Sequence, residues 1–246
     1  KNVTYINGTH IDPETTLCGL IYDVQSGAGI PDVVVSDGFN CTLTDANGVY
    51  QLIRDKRATQ IFYSTPADYA VYLSVIAGAE LPYFYRKIDL SVKVYRQDFK
   101  LTRLSGGKET SFRLFCMADP QCRNEKSLAR FQDETIPDLE QTAKSFRDAG
   151  EVVYGITLGD ITDNNKTSIW EAMKKSMASI SGSVPFFQTI GNHDHLNETD
   201  NNVTTTYWKS IENFQKYFGP QNYSFNRGDV HIISMDNVLH GEQPDQ

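Results

Sequence analysis

The chain has 246 residues, 39% hydrophobic and 22% charged, proportions of a folded protein with room for one large domain or two modest ones rather than of a disordered chain. Its net charge of −8 argues against nonspecific binding to nucleic acid or to an anionic membrane. There is no apolar run of roughly 18 residues to span a bilayer.

Residues 1–108 read as all-β. The apolar or alternating runs Leu17 to Tyr22, Val33 to Ser36, Tyr50 to Ile53, Ile61 to Ser64 and Ser91 to Tyr95 are separated by Gly, Pro, Asn and Asp clusters. That spacing suits a small immunoglobulin-like sandwich. Gly29-Ile30-Pro31-Asp32 and Asp45-Ala46-Asn47-Gly48 supply turns, with glycine available for positive φ. Leu104 to Lys108 reads as a linker. Cys18 and Cys41 lie in this segment and can pair if the protein is exported; Cys116, in a later apolar run, is expected to be an inert buried thiol. No C-x-x-C pair is present, so a zinc knuckle is not expected. N-x-[ST] sequons begin at Asn2, Asn7, Asn40, Asn165, Asn197, Asn202 and Asn222, and carry meaning only in a secreted eukaryotic protein.

From residue 109 to 246 the pattern is that of a layered α/β domain. Phe112 to Ala118, Val152 to Leu158, Val184 to Ile190 and Val230 to Met235 have strand length and apolar character. Between them, Leu139, Ala143 and Phe146 share a helix face running to Gly150, a C′ residue. Trp170, Met173, Met177 and Ile180 form a second stripe, and Tyr207, Ile211, Phe214 and Phe218 a third that stops at Gly219-Pro220. These stripes are core faces, not ligand boxes.

Three of the four strands run straight into polar clusters: Asp119-Pro120-Gln121, Gly159-Asp160 and Gly191-Asn192-His193-Asp194. Open α/β sheets gather functional groups at the carboxyl ends of their strands. Two Asp, a Gln and an Asn delivered there supply oxygen ligands for hard or borderline cations. Gly159 and Gly191 allow a sharp turn or a close approach just before the ligand candidates. No glycine-rich strand–helix turn supports a P-loop or Rossmann nucleotide binder, and no nucleophile elbow supports a serine or cysteine hydrolase.

Asp119-Pro120-Gln121, then Gly159-Asp160-Ile161-Thr162-Asp163, then Gly191-Asn192-His193-Asp194, in that order and each after a strand, resemble the motifs of the calcineurin-like metallophosphoesterases. The resemblance implies a dinuclear centre of two divalent metal ions (Mn, Mg, Fe or Zn) that hydrolyses a small phosphomonoester or phosphodiester. Asp119 and Gln121 would bind the first metal, Asp160 would bridge both, and Asn192 would bind the second. His193 would sit beside the phosphate, with Asp194 holding its ring. Asp163 would be a solvated loop carboxylate or a support to the ligands.

Two departures from the family pattern stand out. Gln121 replaces the usual histidine, which tilts the first site towards manganese, magnesium or calcium rather than zinc. The family's late histidines are absent, so the domain is expected to be incomplete at its C-terminus and to bind metal weakly. Of the remaining histidines, His231 reads as strand packing, His240 and His10 as solvated, and His195 as either structural or substrate-facing.

Residues Leu17 to Asp23, Gly29 to Gly38 and Thr44 to Tyr50 are similar to the β-sandwich module found ahead of some exported bacterial metallophosphoesterases. The pairing of modules implies an exported, periplasmic or cell-surface protein of Bacteroidetes type. The competing reading is a noncatalytic binding or scaffold protein with a degenerate phosphoesterase domain. No nucleic-acid partner is expected.

Overall fold

The computed structural model describes residues 4–76, 79–181, 184–195 and 207–238. His240 and the sequons at Asn2, Asn197 and Asn202 lie outside them. The chain divides into two compact units interleaved in sequence: Lys1–Tyr72, Tyr83–Thr110 and Tyr223–Ile233 in one, Leu73–Pro82, Ser111–Asn222 and Ser234–Gln246 in the other.

The first unit is a β-sandwich of two four-stranded sheets. In one sheet Tyr85–Lys87, Gln60–Tyr63, Val34–Ser36 and Cys41–Leu43 pair antiparallel in that order. In the other, Leu17–Asp23 pairs antiparallel with Val49–Leu52 and parallel with both Tyr95–Arg96 and Phe99–Leu101. The Phe99 ring meets Tyr63 of the opposite sheet at 4.9 Å, edge to face. Between the two parallel strands the ladder is interrupted, and the Asp98 carboxylate accepts the Leu20 N–H at 2.9 Å in place of a backbone carbonyl. Gly19 makes the break possible, because a Cβ there would lie 1.8 Å from the Gln97 carbonyl oxygen. The Tyr50 hydroxyl donates to that same oxygen at 2.6 Å.

The expected turns form, with one exchange of roles. Gly48 takes the positive φ of 78°, and the Asp45 carboxylate accepts the Asn47 and Val49 N–H groups at 2.9 Å each. In the other turn the left-handed residue is Asp32, at φ 59°. Gly29 is needed there for room, since a Cβ would lie 1.9 Å from the Asn47 oxygen. Cys18 is buried and Cys41 exposed, and both are free thiols, so the possible bridge does not form.

In the second unit, Arg113–Met117, Val153–Thr157 and Phe186–Phe187 form a parallel sheet in that order. Helix Glu125–Arg130, a π-helical turn Phe131–Thr135 and helix Ile136–Asp148 follow one another without a break between the first two strands; Thr167–Ser181 lies between the second and third. Leu139 and Ala143 are buried and Phe146 packs against the core, while Gly150 leaves the helix at φ 80°. Trp170, Met173, Met177 and Ile180 are fully buried, and the Trp170 and Tyr217 rings stack at 5.9 Å.

Three expectations are corrected. Val230–Ser234 does not join the parallel sheet but pairs with Tyr223–Arg227, which belongs to the sandwich unit through a parallel bridge from Phe225 to Thr65 and the Asn226 N–H donating to the Thr65 carbonyl at 2.9 Å. The hairpin Leu73–Ile76 with Ala79–Pro82, placed with the β segment by sequence, groups with the second unit and sends Leu81 into its core. Cys116 is exposed, because its strand is the edge of the sheet and its side chain lies on the face opposite the Phe115 and Met117 that pack inward; Cys122 is the buried thiol, pushed up to about 11 by burial.

Candidate metal site

The three parallel strands end in loops that converge on Asp160. The loop after Met117 is bonded to the loop after Thr157 along its length. Gln121 N–H donates to the Asp160 carbonyl at 2.8 Å, Cys122 N–H to Ile161 at 3.4 Å, and Asp163 N–H to Cys122 at 3.1 Å. Asp119, Gln121 and Asp160 all hold left-handed backbones, at φ 48°, 40° and 50°. A non-glycine residue there costs about 1–2 kcal/mol, so three in adjoining loops mark a place where geometry is held against local preference.

The third loop reaches Asp160 by close approach. Gly159, at φ 102°, has its Cβ position 3.1 Å from the Gly191 Cα, and a Cβ on Gly191 would lie 2.2 Å from both the nitrogen and Oδ1 of Asp160. With the backbones in contact, the His193 N–H donates to Asp160 Oδ1 at 2.9 Å. The Gln121 amide nitrogen stands 3.4 Å from Asp160 Oδ2. A half-turn of that amide presents its oxygen instead. Burial pushes the Asp160 carboxyl upward, the His193 N–H and ring oppose the shift, and the neighbouring Asp119 carboxylate adds to it. A like charge beside a carboxylate disfavours its ionised form. A divalent cation relieves that repulsion, so the oxygen set fits one. Asn192 is exposed, and its carbonyl accepts the His195 N–H at 3.2 Å. Among the described residues no group of three His, Cys, Asp or Glu side chains is placed to hold a metal. The side chains brought together are thus the Asp119 and Asp160 carboxylates and the Gln121 amide, with the Asn192 side chain exposed on the third loop.

Asp194 and Asp163 have exchanged the roles expected of them. Asp194 is fully buried and turned away from the His193 ring. Its Oδ2 accepts the N–H groups of Gly191 at 2.9 Å and Ile161 at 3.1 Å, and its Oδ1 accepts the Thr162 N–H at 2.8 Å and hydroxyl at 3.2 Å. Burial pushes its carboxyl up to about 7, while these backbone N–H groups pull it down. It clamps the second loop to the third. The His193 ring is held by Asp163, with Nδ1 at 3.1 Å from its Oδ1 and 3.3 Å from its carbonyl. Both partners only accept, so Nδ1 carries the hydrogen and Nε2 is left for another ligand. Asp163 is held in turn by the Arg123 Nε. Sequence reading gave Arg123 no role; Asp163 had a signal, as the second carboxylate of G-D-x-x-D.

His195 proves structural, its side chain fully buried. Asp236 accepts from its Nε2 at 3.3 Å, which leaves Nδ1 to accept the Ser210 hydroxyl at 2.7 Å. This fixes the turn His193–His195 to helix Tyr207–Phe218. The Asn165 sequon is buried, its side-chain oxygen accepting from Trp170 Nε1 at 2.6 Å; Asn7, Asn40 and Asn222 are exposed.

The chain thus combines a β-sandwich unit with a unit whose parallel strands bring Asp119, Gln121 and Asp160 together at their ends. Residues 16–104 match the family model described as N terminal of Calcineurin-like phosphoesterase. The match supports that family and ends before the loops that carry the cluster. No curated protein matches the chain. No helix among the described residues is long and apolar enough to cross a membrane.

Proposed function

We propose that this chain belongs to a metal-dependent phosphoester hydrolase: a sandwich module, Lys1–Tyr72, Tyr83–Thr110 and Tyr223–Ile233, interleaved in sequence with a calcineurin-like phosphoesterase unit, Leu73–Pro82, Ser111–Asn222 and Ser234–Gln246, in an exported protein. The observation that carries the reading is the convergence on Asp160 of three loops from successive parallel strands, each bringing a residue of one motif. Asp119, Gln121, Asp160 and Asn192 would hold divalent metal, which supplies Lewis-acid stabilisation of the phosphoryl oxygens when bound. Hydrolysis adds water across the P–O bond and releases an alcohol, together with phosphate from a monoester or with a monoester from a diester. His193, its Nδ1–H on Asp163, offers Nε2 to that bond and, when protonated there, gives its proton to the departing oxygen. Asp194 keeps the Asn192-His193 turn against the Asp160 loop.

The second reading, a noncatalytic scaffold, is favoured by the shortage of charged or imidazole ligands among the described residues. Calorimetric titration with Mn²⁺, paired with hydrolysis of p-nitrophenyl phosphate and bis(p-nitrophenyl) phosphate, separates the two. We expect Mn²⁺ binding that Asp160→Asn abolishes, and turnover that His193→Ala removes. Absence of Mn²⁺ binding overturns the hydrolase; binding without turnover of either ester selects the scaffold.

A further inference from the structure

The Asp163 carboxylate holds two nitrogen groups, one on each oxygen. Oδ1 takes His193 Nδ1 at 3.1 Å, and Oδ2 takes Arg123 Nε. The Asp163 side chain is itself only 12% exposed, whereas His193 is 31% and Arg123 66% exposed, so the two held groups face outward from a buried anchor. Arg123 is committed through Nε alone, and its two terminal nitrogens make no hydrogen bond to a described residue. A guanidinium fixed at one nitrogen keeps its remaining donors in a rigid planar fork. The Arg123 backbone is anchored as well, its N–H donating to Ser127 Oγ at 2.9 Å at the head of helix Glu125–Arg130. The Arg123 guanidinium and the His193 ring are therefore held by the two oxygens of one carboxylate, three residues along the chain from Asp160.

We infer that Arg123 and His193 together form an anion-gripping subsite that takes the terminal oxygens of a phosphomonoester dianion, in preference to a diester. The inference rests on the phosphoester reading above and narrows its substrate class. A monoester presents three non-bridging oxygens and close to two negative charges, enough to meet both the metal side of the site and a guanidinium fork. A diester has one charge and two such oxygens, and its second alcohol occupies the position the fork would take.

The experiment measures inorganic phosphate binding to the 246-residue chain by calorimetry with Mn²⁺ present, and KM and kcat for p-nitrophenyl phosphate and bis(p-nitrophenyl) phosphate. Charge-assisted hydrogen bonds of this kind lead us to expect Arg123→Ala to weaken phosphate binding at least about tenfold. It should raise KM for the monoester by a similar factor with kcat little changed, and leave KM for the diester within about twofold. Arg123→Lys should recover part of the monoester KM, as a point charge without the fork. Tryptophan fluorescence in urea checks that the variants fold alike. Unchanged phosphate affinity in Arg123→Ala overturns the subsite. So does an equal loss of kcat on both esters, which would leave Arg123 as a brace for Asp163 alone. A wild-type chain that binds Mn²⁺ but no phosphate also overturns it while leaving the metal site standing; a chain that binds no Mn²⁺ removes the reading beneath it.

Discussion

Replacing Gly191 by alanine tests the contact on which the site's geometry depends. The added Cβ would lie 2.2 Å from Asp160 N, 2.2 Å from Asp160 Oδ1 and 3.0 Å from its Cγ. Non-bonded heavy atoms settle at about 3.5 Å, so the third loop has to retreat by roughly 1 Å. Neither neighbour gives cheaply, one being backbone and the other a carboxylate oxygen already engaged by His193 N–H. Two of the hydrogen bonds that lie across the gap that opens are His193 N–H to Asp160 at 2.9 Å and Thr162 N–H to Asp194 at 2.8 Å. Each ends on a carboxylate and contributes about 1.5–3 kcal/mol. Losing both costs about 3–6 kcal/mol, and partial relaxation brings the expectation to about 2–4 kcal/mol, a large share of a typical stability of about 5–15 kcal/mol. Urea unfolding followed by tryptophan fluorescence reads this directly, because the fully buried Trp170 belongs to the same unit. The midpoint should fall with little change in slope, while Lys144→Ala, on an exposed helix face, stays within about 0.5 kcal/mol of wild type. A Gly191→Ala midpoint equally close to wild type would mean the two loops do not touch, and the site as described would fall.

Asp194→Ala leaves the N–H groups of Gly191, Ile161 and Thr162 without their acceptor, at about 1–3 kcal/mol each. The urea midpoint should therefore drop at least as far as in Gly191→Ala, and a mild effect would refute the clamp. In the native protein at pH 8, a thiol reagent should label Cys41 and Cys116 and spare Cys18 and Cys122, with all four reacting in urea; peptide mapping distinguishes them. Burial pushes the Cys122 thiol up from 9.0 to about 11. Because the folded value is the higher one, its contribution to stability is intact below pH 9 and is lost as the pH rises towards 11. The tryptophan-detected midpoint should decline across that window, less steeply in Cys122→Ala; identical slopes in the two proteins would count against the burial of this thiol.

What the sequence made legible follows from which interactions are local. The parallel strands and their polar tips could be read because an apolar run ending in glycine and aspartate fixes both a strand and its exit. The run Val230–Ser234 was equally readable as a strand, but strand length says nothing about partner. The Gly228-Asp229 turn, with Gly228 at φ 52°, decides that it folds back on Tyr223–Arg227. Cys116 was misjudged for a related reason, since an apolar run is buried on both faces only when its strand is flanked on both sides. Of the third run, Val184 to Ile190, only Phe186–Phe187 is paired, because the chain must leave the sheet early to bring Gly191 against Asp160.

At the site the positions were legible and the partnerships were not. Asp194 follows His193 directly, yet in the tight turn His193–His195 successive side chains diverge, and Asp194 points into the core while the His193 ring points out. The ring's partner has to come from another loop, and Asp163 supplies it. This places the candidate metal bridge and the histidine's brace three residues apart on one segment, Asp160 to Asp163. That segment is bonded to the first loop through Gln121, Cys122 and Arg123, and to the third through Asp194. A displacement of Gly159–Asp163 therefore moves the candidate ligands and the His193 ring together. Substitutions that loosen it, even where they touch no ligand, should impair Mn²⁺ binding and kcat in parallel, whereas loss of Arg123 alone should spare both and raise the monoester KM.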